Sequence, residues 1–227
     1  WGNIVAGVDL IRRVEAKSAH ALTIPLLAKA DGTKFGKTAD GAIWLDPTMT
    51  SAYALFQFFL NSDDRDVEQL LKTFSFKSRQ ELEALFESLK TNPGAREAHR
   101  ELAREVTTLL HGADQAQKVE AAAKALFGQG EIRDLDIETL KSALAELPKA
   151  SINKAAEIPS WVDLVTSSGV VESKSAARRV IKEGGAYLNN EKITGEDFTP
   201  KSSDLLHGQF LLLRKGKRDL VAVEITE

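Results

Sequence analysis

The chain contains no cysteine, which excludes a disulfide framework and a thiolate metal site. It also lacks a long apolar run. The longest, Ala52 to Leu60, is nine residues interrupted by Gln57, far short of the roughly 18 needed to span a bilayer. No basic-then-apolar segment opens the chain, so no secretory start is read, and the expected location is cytoplasmic. An excess of one charge is missing too: 30 Lys and Arg face 33 Asp and Glu, for a formal charge of −3. That argues against a uniformly basic nucleic-acid binder, although it averages over local patches. An initiator methionine is absent as well; the chain opens on Trp1-Gly-Asn-Ile and reads as a portion of something longer.

What is present suits folded structure. At 227 residues there is room for one large domain or two to three small ones, and 43% hydrophobic with 28% charged residues is a globular balance. Ile4, Val5, Val8 and Ile11 recur at helical spacing, ending at Arg12 and Arg13. Leu22 to Leu27 reads as a short buried strand. After a loop closed by Pro47, Thr50 is expected to cap a helix carrying Tyr53, Leu55, Phe56 and Phe59. Helix then follows helix from Asn61 to about Pro148, with a capping box at Ser78 and Glu81 and a helix starting at Asn92-Pro93 and stopping at Gly112. Asp114 to Phe127 and Asp136 to Leu147 are the next two helices, and the expected outcome is an all-α bundle. The apolar periodicity fades between Pro148 and Pro159, which reads as a linker. Beyond it, Ser160 and Ser173 cap short helices, and strands are expected at Ala186 to Leu188, Gln209 to Leu213 and Leu220 to Ile225, with Lys215-Gly-Lys217 turning the final hairpin.

The stretch KADGTKFGKTADG, Lys29 to Gly41, contains a Gly-Lys-Thr that invites comparison with a P-loop. The spacing fails, because Gly32 and Gly36 are one residue too close, and no helix follows to aim its dipole at a phosphate. A solvated lysine-rich turn is the plainer alternative. Lys34 and Lys37 bracket Phe35-Gly36, however, and two ammonium groups on a Gly-hinged loop can close over a polyphosphate while Phe35 anchors the loop. Such groups stabilise charge developing on a leaving pyrophosphate.

In the last section, Lys174, Arg178, Arg179 and Lys182 share one arc of a helix while Ala176, Ala177, Val180 and Ile181 fill the other. Glu183 is the only acid in that helix. The charges favour RNA contact over a merely solvated face, and Arg214, Lys215, Lys217 and Arg218 at the final hairpin are expected to approach the same phosphate track. In the middle section Asp63, Asp64 and Asp66 begin a helix, where they stabilise its positive end or accept hydrogen bonds from a base.

Lys34-Phe-Gly-Lys-Thr38 resembles the KMSKS signature of class I aminoacyl-tRNA synthetases in its bacterial tyrosyl form. Trp1-Gly-Asn-Ile, Ala30-Asp-Gly and Ile43-Trp-Leu-Asp resemble the same family, and the resemblance covers essentially the whole chain. It implies a mixed, multi-domain fold: residues 1–60 as the C-terminal remnant of a nucleotide-binding catalytic domain, 61–148 as an all-α anticodon-binding bundle, 149–158 as a linker, and 159–227 as a small α+β RNA-binding module. Ser173-Lys-Ser-Ala-Ala-Arg-Arg and Gly184-Gly-Ala-Tyr-Leu-Asn-Asn in that module are similar to a fold of the small-subunit ribosomal protein type, which holds the long variable arm of tRNA(Tyr) by backbone and shape.

The resemblance further implies tyrosine–tRNA ligase activity, with ATP-dependent activation of tyrosine and transfer to tRNA(Tyr). Lys34 and Lys37 are then catalytic, Lys34, Phe35, Gly36, Lys37 and Thr38 serve the ATP phosphates, and Mg2+ accompanies ATP. Lys174, Arg178, Arg179, Lys182 and Lys192 are the expected RNA phosphate contacts, joined by the hairpin cations. The family's HIGH-type histidine is not seen; His20, His99, His111 and His207 read as ordinary surface or helix-end residues. The tyrosine pocket is also not read here, so this chain alone is expected to be inactive, and a monomer or weak dimer where full-length relatives are homodimers. The competing reading is a non-catalytic RNA-binding protein; a tryptophanyl-specific relative fits less well, because the C-terminal module is not expected there.

Overall fold

Helix α1 (Gly2–Glu15) forms where the apolar spacing predicts one. Arg12 and Arg13 in its last turn complement the helix dipole and reach back to Asp9 at 2.9 and 2.7 Å. Ala16, with φ 50°, turns the chain out of the helix. The computed structural model describes residues 1–24, 26–38, 41–154 and 157–226, with the backbone alone for Lys37, Thr38 and Gly41. It divides into two units, Trp1–Ile43 and Trp44–Glu227.

In the first unit none of the described residues of the expected strand, Leu22 to Leu27, is in a strand, and Leu22, Ile24 and Leu26 are exposed; Pro25 lies outside the described residues. A strand needs a neighbour for its N–H and C=O groups. Among the described residues pairing begins only at the bridge between Ala28 and Lys34. A short ribbon follows, β1 (Lys37–Thr38) antiparallel to β2 (Gly41–Ala42).

The second unit opens at a cap one residue later than the sequence suggests. The Ser51 hydroxyl, not that of Thr50, accepts from Ala54 N and starts α2 (Ala52–Leu60); Thr50 instead accepts from Trp44 N at 3.0 Å. Asp63 caps α3 (Asp64–Phe74), and the Ser78–Glu81 capping box starts α4 (Arg79–Thr91) as expected. Asn92-Pro93 starts only a 3-10 turn, Pro93–Ala95. Arg96, at φ 49°, breaks it, and α5 (Glu97–His111) begins afterwards. Next come α6 (Ala113–Leu126) and α7 (Ile137–Ala145). Helix α2 packs on α5, α6 and α7 through Tyr53, Leu55 and Phe56, so it belongs to this bundle and not to the unit before it.

The expected linker is corrected at its start: Lys149–Asn153 is a strand, β3. Ala155 and Ala156 lie outside the described residues. The remaining elements are α8 (Trp161–Ser167), α9 (Lys174–Lys182), β4 (Ala186–Leu188), β5 (Glu191–Lys192), β6 (Phe210–Lys215) and β7 (Asp219–Thr226). The sheet order is β3-β7-β6-β4-β5, with β3 parallel to β7 and the other pairs antiparallel.

Alternation along β6 and β7 gives the sheet two apolar faces. Leu211, Leu213, Val221 and Val223 join Trp161, Ala177 and Ile181 in one core. On the opposite face Phe210 and Ala222 meet Leu144 and Ala145 of α7. Trp161, fully buried, donates from Nε1 to Tyr187 O at 3.1 Å and fastens α8 to β4. His207 Nε2 lies 2.7 Å from Leu135 O, and Asn190 Nδ2 donates to Ala125 O, tying the sheet's loops to the helical bundle.

Candidate functional site

Two regions carry the expected chemistry. In the first unit, the Asp31 carboxylate accepts from Thr33 N at 2.8 Å and from its hydroxyl at 2.6 Å. Lys29 N donates to Thr33 O at 2.8 Å, closing a tight turn around Gly32. Phe35 N then donates to Leu27 O at 3.2 Å, so the backbone on either side of Lys34 is held while the Lys34 side chain is exposed. Phe35 is half-buried, consistent with an anchor. Gly36 has φ +79° with open space where a Cβ would sit, so glycine is required there by the backbone angle and not by crowding. Lys37 and Thr38 enter β1; their side chains lie outside the described part of the molecule.

In the second unit, α9 divides as its periodicity predicts. Ala177 and Ile181 are buried, and Lys174, Arg178, Arg179 and Lys182 are exposed. Glu183 is the only acid that the α9 segment itself supplies, but other elements bring carboxylates to its cationic face. Lys174 Nζ lies 2.6 Å from Asp163 Oδ1; Lys182 Nζ and Arg178 Nε lie 3.2 and 3.9 Å from Glu196. Lys174, followed by Ser160, holds the Asp163 carboxyl below its usual range. Asp163 also accepts from the Ser160 hydroxyl at 2.7 Å, so it serves both the cap of α8 and the Lys174 cation, a pairing that the local sequence pattern does not mark.

The hairpin cations do not form one track. Arg214 pairs in register with Tyr187 and stacks on its ring, with the guanidinium carbon 3.8 Å from the centroid. It also donates to Gly216 O at 3.1 Å and is half-buried, so it is built into the sheet instead of standing at the tip. Lys215 reaches Val170 O and Asp219 at 3.3 and 3.4 Å. Lys217 and Arg218 are the exposed cations of the turn. The turn nevertheless meets the end of α9, since Gly216 N donates to Gly185 O at 2.7 Å. Lys192 arrives there from β5: a Cβ at Gly184, which has φ +72°, would lie 2.6 Å from its Nζ. The structure therefore brings together Lys182, Lys192 and the hairpin turn, with Lys174 at the far end of the helix.

The histidines need one further correction. His99 is no surface residue: it is fully buried, with Nε2 3.0 Å from Asp64 Oδ1. Burial, with Arg96 nearby, pushes the imidazole below its usual value, and Asp64 opposes that shift. Asp63 is the cap of α3, gripped by Arg65 at 2.7 Å, which holds its carboxyl far below the usual range.

The chain belongs to the class I tRNA synthetases of the tryptophan and tyrosine type, whose family model matches residues 1–128. A second match is narrower: residues 139–223 fit the tyrosine--tRNA ligase SYY-like C-terminal domain. The chain is 56% identical over 227 residues to a tyrosine--tRNA ligase of Streptomyces avermitilis, covering 100% of this chain and 53% of that protein. It is 54% identical over 228 residues to one of Thermobifida fusca, covering 98% and 53%. It thus spans about half the length of the curated relatives it matches. The fold is class I synthetase-like, with helices and a mixed sheet.

Proposed function

We propose that this chain is the tRNA-binding, C-terminal part of a tyrosine–tRNA ligase, which activates tyrosine with ATP and transfers it to tRNA(Tyr). The carrying observation is the turn at Lys34, Phe35 and Gly36, with backbone held on both sides, an anchored aromatic and an exposed ammonium beside a left-handed glycine. That arrangement suits a loop whose Lys34 and Lys37 meet the ATP phosphates as pyrophosphate leaves, with Thr38 beside them. Mg2+ would enter with ATP, held through its phosphates. A non-catalytic RNA binder accounts for the last module but leaves this loop without a task.

In this reading the segment before α2 closes the catalytic domain, α2 to residue 148 form the anticodon-binding bundle, and 159–227 form the module of the small-subunit ribosomal protein type. That module grips the variable arm of tRNA(Tyr) through Lys174, Arg178, Arg179, Lys182 and Lys192, with Lys217 and Arg218 at the hairpin. Arg214 and Lys215 support the sheet beneath them. Asp163 and Glu196 hold the α9 cations in place until phosphate competes for them. The chain by itself is a monomer or weak dimer in solution and does not form tyrosyl-adenylate.

The test is binding of a tRNA(Tyr) transcript to residues 1–227, compared with a tRNA that has a short variable arm. A preference of about tenfold or more is expected, together with a flatter salt dependence after Arg178→Gln and Arg179→Gln, because each lost phosphate contact releases fewer counterions. Equal affinity for both RNAs and an unchanged salt slope would sink the assignment.

A further inference from the structure

We propose a second phosphate subsite for RNA, in the cleft that joins the helical bundle to the C-terminal module and is lined by Arg133, Lys192 and Lys201. It rests on the reading of the module as an RNA binder and adds two cations that no basic cluster in the sequence marks. The cleft has a volume of about 280 Å³, and its cations come from separate elements. Arg133 belongs to the 3-10 turn Ile132–Asp134, Lys192 to β5, and Lys201 to the residue before the 3-10 turn Ser202–Asp204.

What distinguishes this cleft from α9 is the fate of its charges. On α9, Lys174, Arg178 and Lys182 are faced by Asp163 and Glu196. In the cleft, among the described residues, Arg133, Lys192 and Lys201 carry no ion pair, and all are exposed. The acids that line it are Glu191 and Asp204. Asp204 is already committed, accepting from Lys201 N at 2.7 Å. The cleft therefore holds an excess of positive charge that an anion would neutralise.

The lining also suits a phosphodiester. Leu188, Ile193 and Phe198 form an apolar backing, and Thr199 and Ser203 bring hydroxyls to the rim. Low polarity behind a charge strengthens its attraction to an anion in front. The cations stand on fixed supports: Ile132 and Ile193, each next in sequence to one of them, are buried. The contacts of His207 with Leu135 O and of Asn190 with Ala125 O hold the two sides of the cleft together. A phosphate bound between Arg133 and Lys201 would engage both regions at once, so RNA seated there reports the angle between bundle and module as well as its own charge.

The experiment uses residues 1–227 with Arg133→Gln, Lys201→Gln and the double variant, each first checked for an unchanged thermal melt. Binding of a tRNA(Tyr) transcript is followed across salt, with inorganic tripolyphosphate as a competing anion. Each substitution is expected to reduce the slope of log K against log salt by about 0.7–0.9 and to weaken binding several-fold, the two effects adding in the double variant. If Arg178→Gln and Arg179→Gln flatten the slope while Arg133→Gln and Lys201→Gln do not, the cleft is refuted and the module remains an RNA binder. If no variant changes the slope, both readings fall. Loss of tripolyphosphate binding in Arg133→Gln with an intact RNA slope would make the cleft a small-anion site and overturn the proposal.

Discussion

Helices α1 and α9 are both written as amphipathic helices, yet they end in opposite environments. In α9, Ala177 and Ile181 are 0% and 4% exposed, covered by α8 and by the inward side chains of β6 and β7. In α1, Ile4 and Ile11 are each 40% exposed and Val14 is 70%, and no residue of the helix is buried. Apolar residues at helical spacing specify a stripe. Whether the stripe becomes core depends on neighbours that the local pattern does not contain.

The sharpest way to break the contrast is to empty the covered side. Trp161→Ala removes the largest fully buried side chain of the α8–α9 core and deprives Tyr187 O of its donor. The expected cost is about 3–5 kcal/mol, read as a fall in the urea midpoint of the C-terminal region followed by far-UV circular dichroism. A loss under 1 kcal/mol would mean that the α9 stripe is not held by this core.

The histidines extend the comparison to polar groups, since His20 is exposed and His99 is fully buried. His99→Ala is expected to cost about 2–4 kcal/mol, and His20→Ala less than about 0.5 kcal/mol. The pH dependence has a definite sign. Because the folded-state value of His99 lies below the ordinary 6.5, the unfolded chain takes up the proton first. Its contribution is full above pH 6.5 and declines as pH falls below it. The slope in that window should shrink in His99→Ala, and a stability profile identical to that of the parent would count against a neutral buried imidazole.

Local signals were legible where the physics is local. The Ser78–Glu81 box, the Ser160 and Ser173 caps and the stripe of α9 need only a few adjacent residues, and all appear in the structure. Strand β3 was hidden because only Ile152 among its residues is fully buried and its partner β7 lies more than sixty residues away. Leu22 to Leu27 shows the reverse error: among its described residues none is in a strand, and Leu22, Ile24 and Leu26 are exposed. The turn around Lys34 to Gly36 was foreseeable from its glycines, while the phosphate role proposed for it rests on resemblance to a known signature. The cationic surface was readable only as composition: the acids that meet α9 come from Asp163 and Glu196, and the stacking of Arg214 on Tyr187 depends on strand register.

A smaller effect tests an ion pair placed between covered and open. Arg104 grips Glu120 with Nε and Nη2 at 2.9 and 3.1 Å, joining α5 to α6. Arg104 first, and then Lys124 through its own hydrogen bond, outweigh burial and hold the Glu120 carboxyl down at about 2. With its folded value depressed, the pair stabilises above the ordinary 4.5 and loses its effect as pH falls from there towards 2. Arg104 remains 45% exposed, so solvent screening limits the cost of Glu120→Gln to about 1 kcal/mol. Molar salt should shrink the difference between parent and variant; a difference insensitive to both salt and acid would point to packing instead.

The smallest expected effect bears directly on α1. Ile and Ser have similar helix propensities, so Ile11→Ser changes the apolar stripe while leaving the intrinsic cost of the helix nearly constant. At 40% exposure, Ile11 has less contact to lose than Ile181 at 4%. Ile11→Ser in residues 1–227 should therefore shift stability by no more than about 0.5 kcal/mol, whereas Ile181→Ser should cost several times that, since it also buries a hydroxyl. Denaturation of the two variants side by side separates the explanations. If Ile11→Ser proves as damaging as Ile181→Ser, the stripe of α1 is covered in solution, and the two helices differ in when they acquire a neighbour and not in whether they have one.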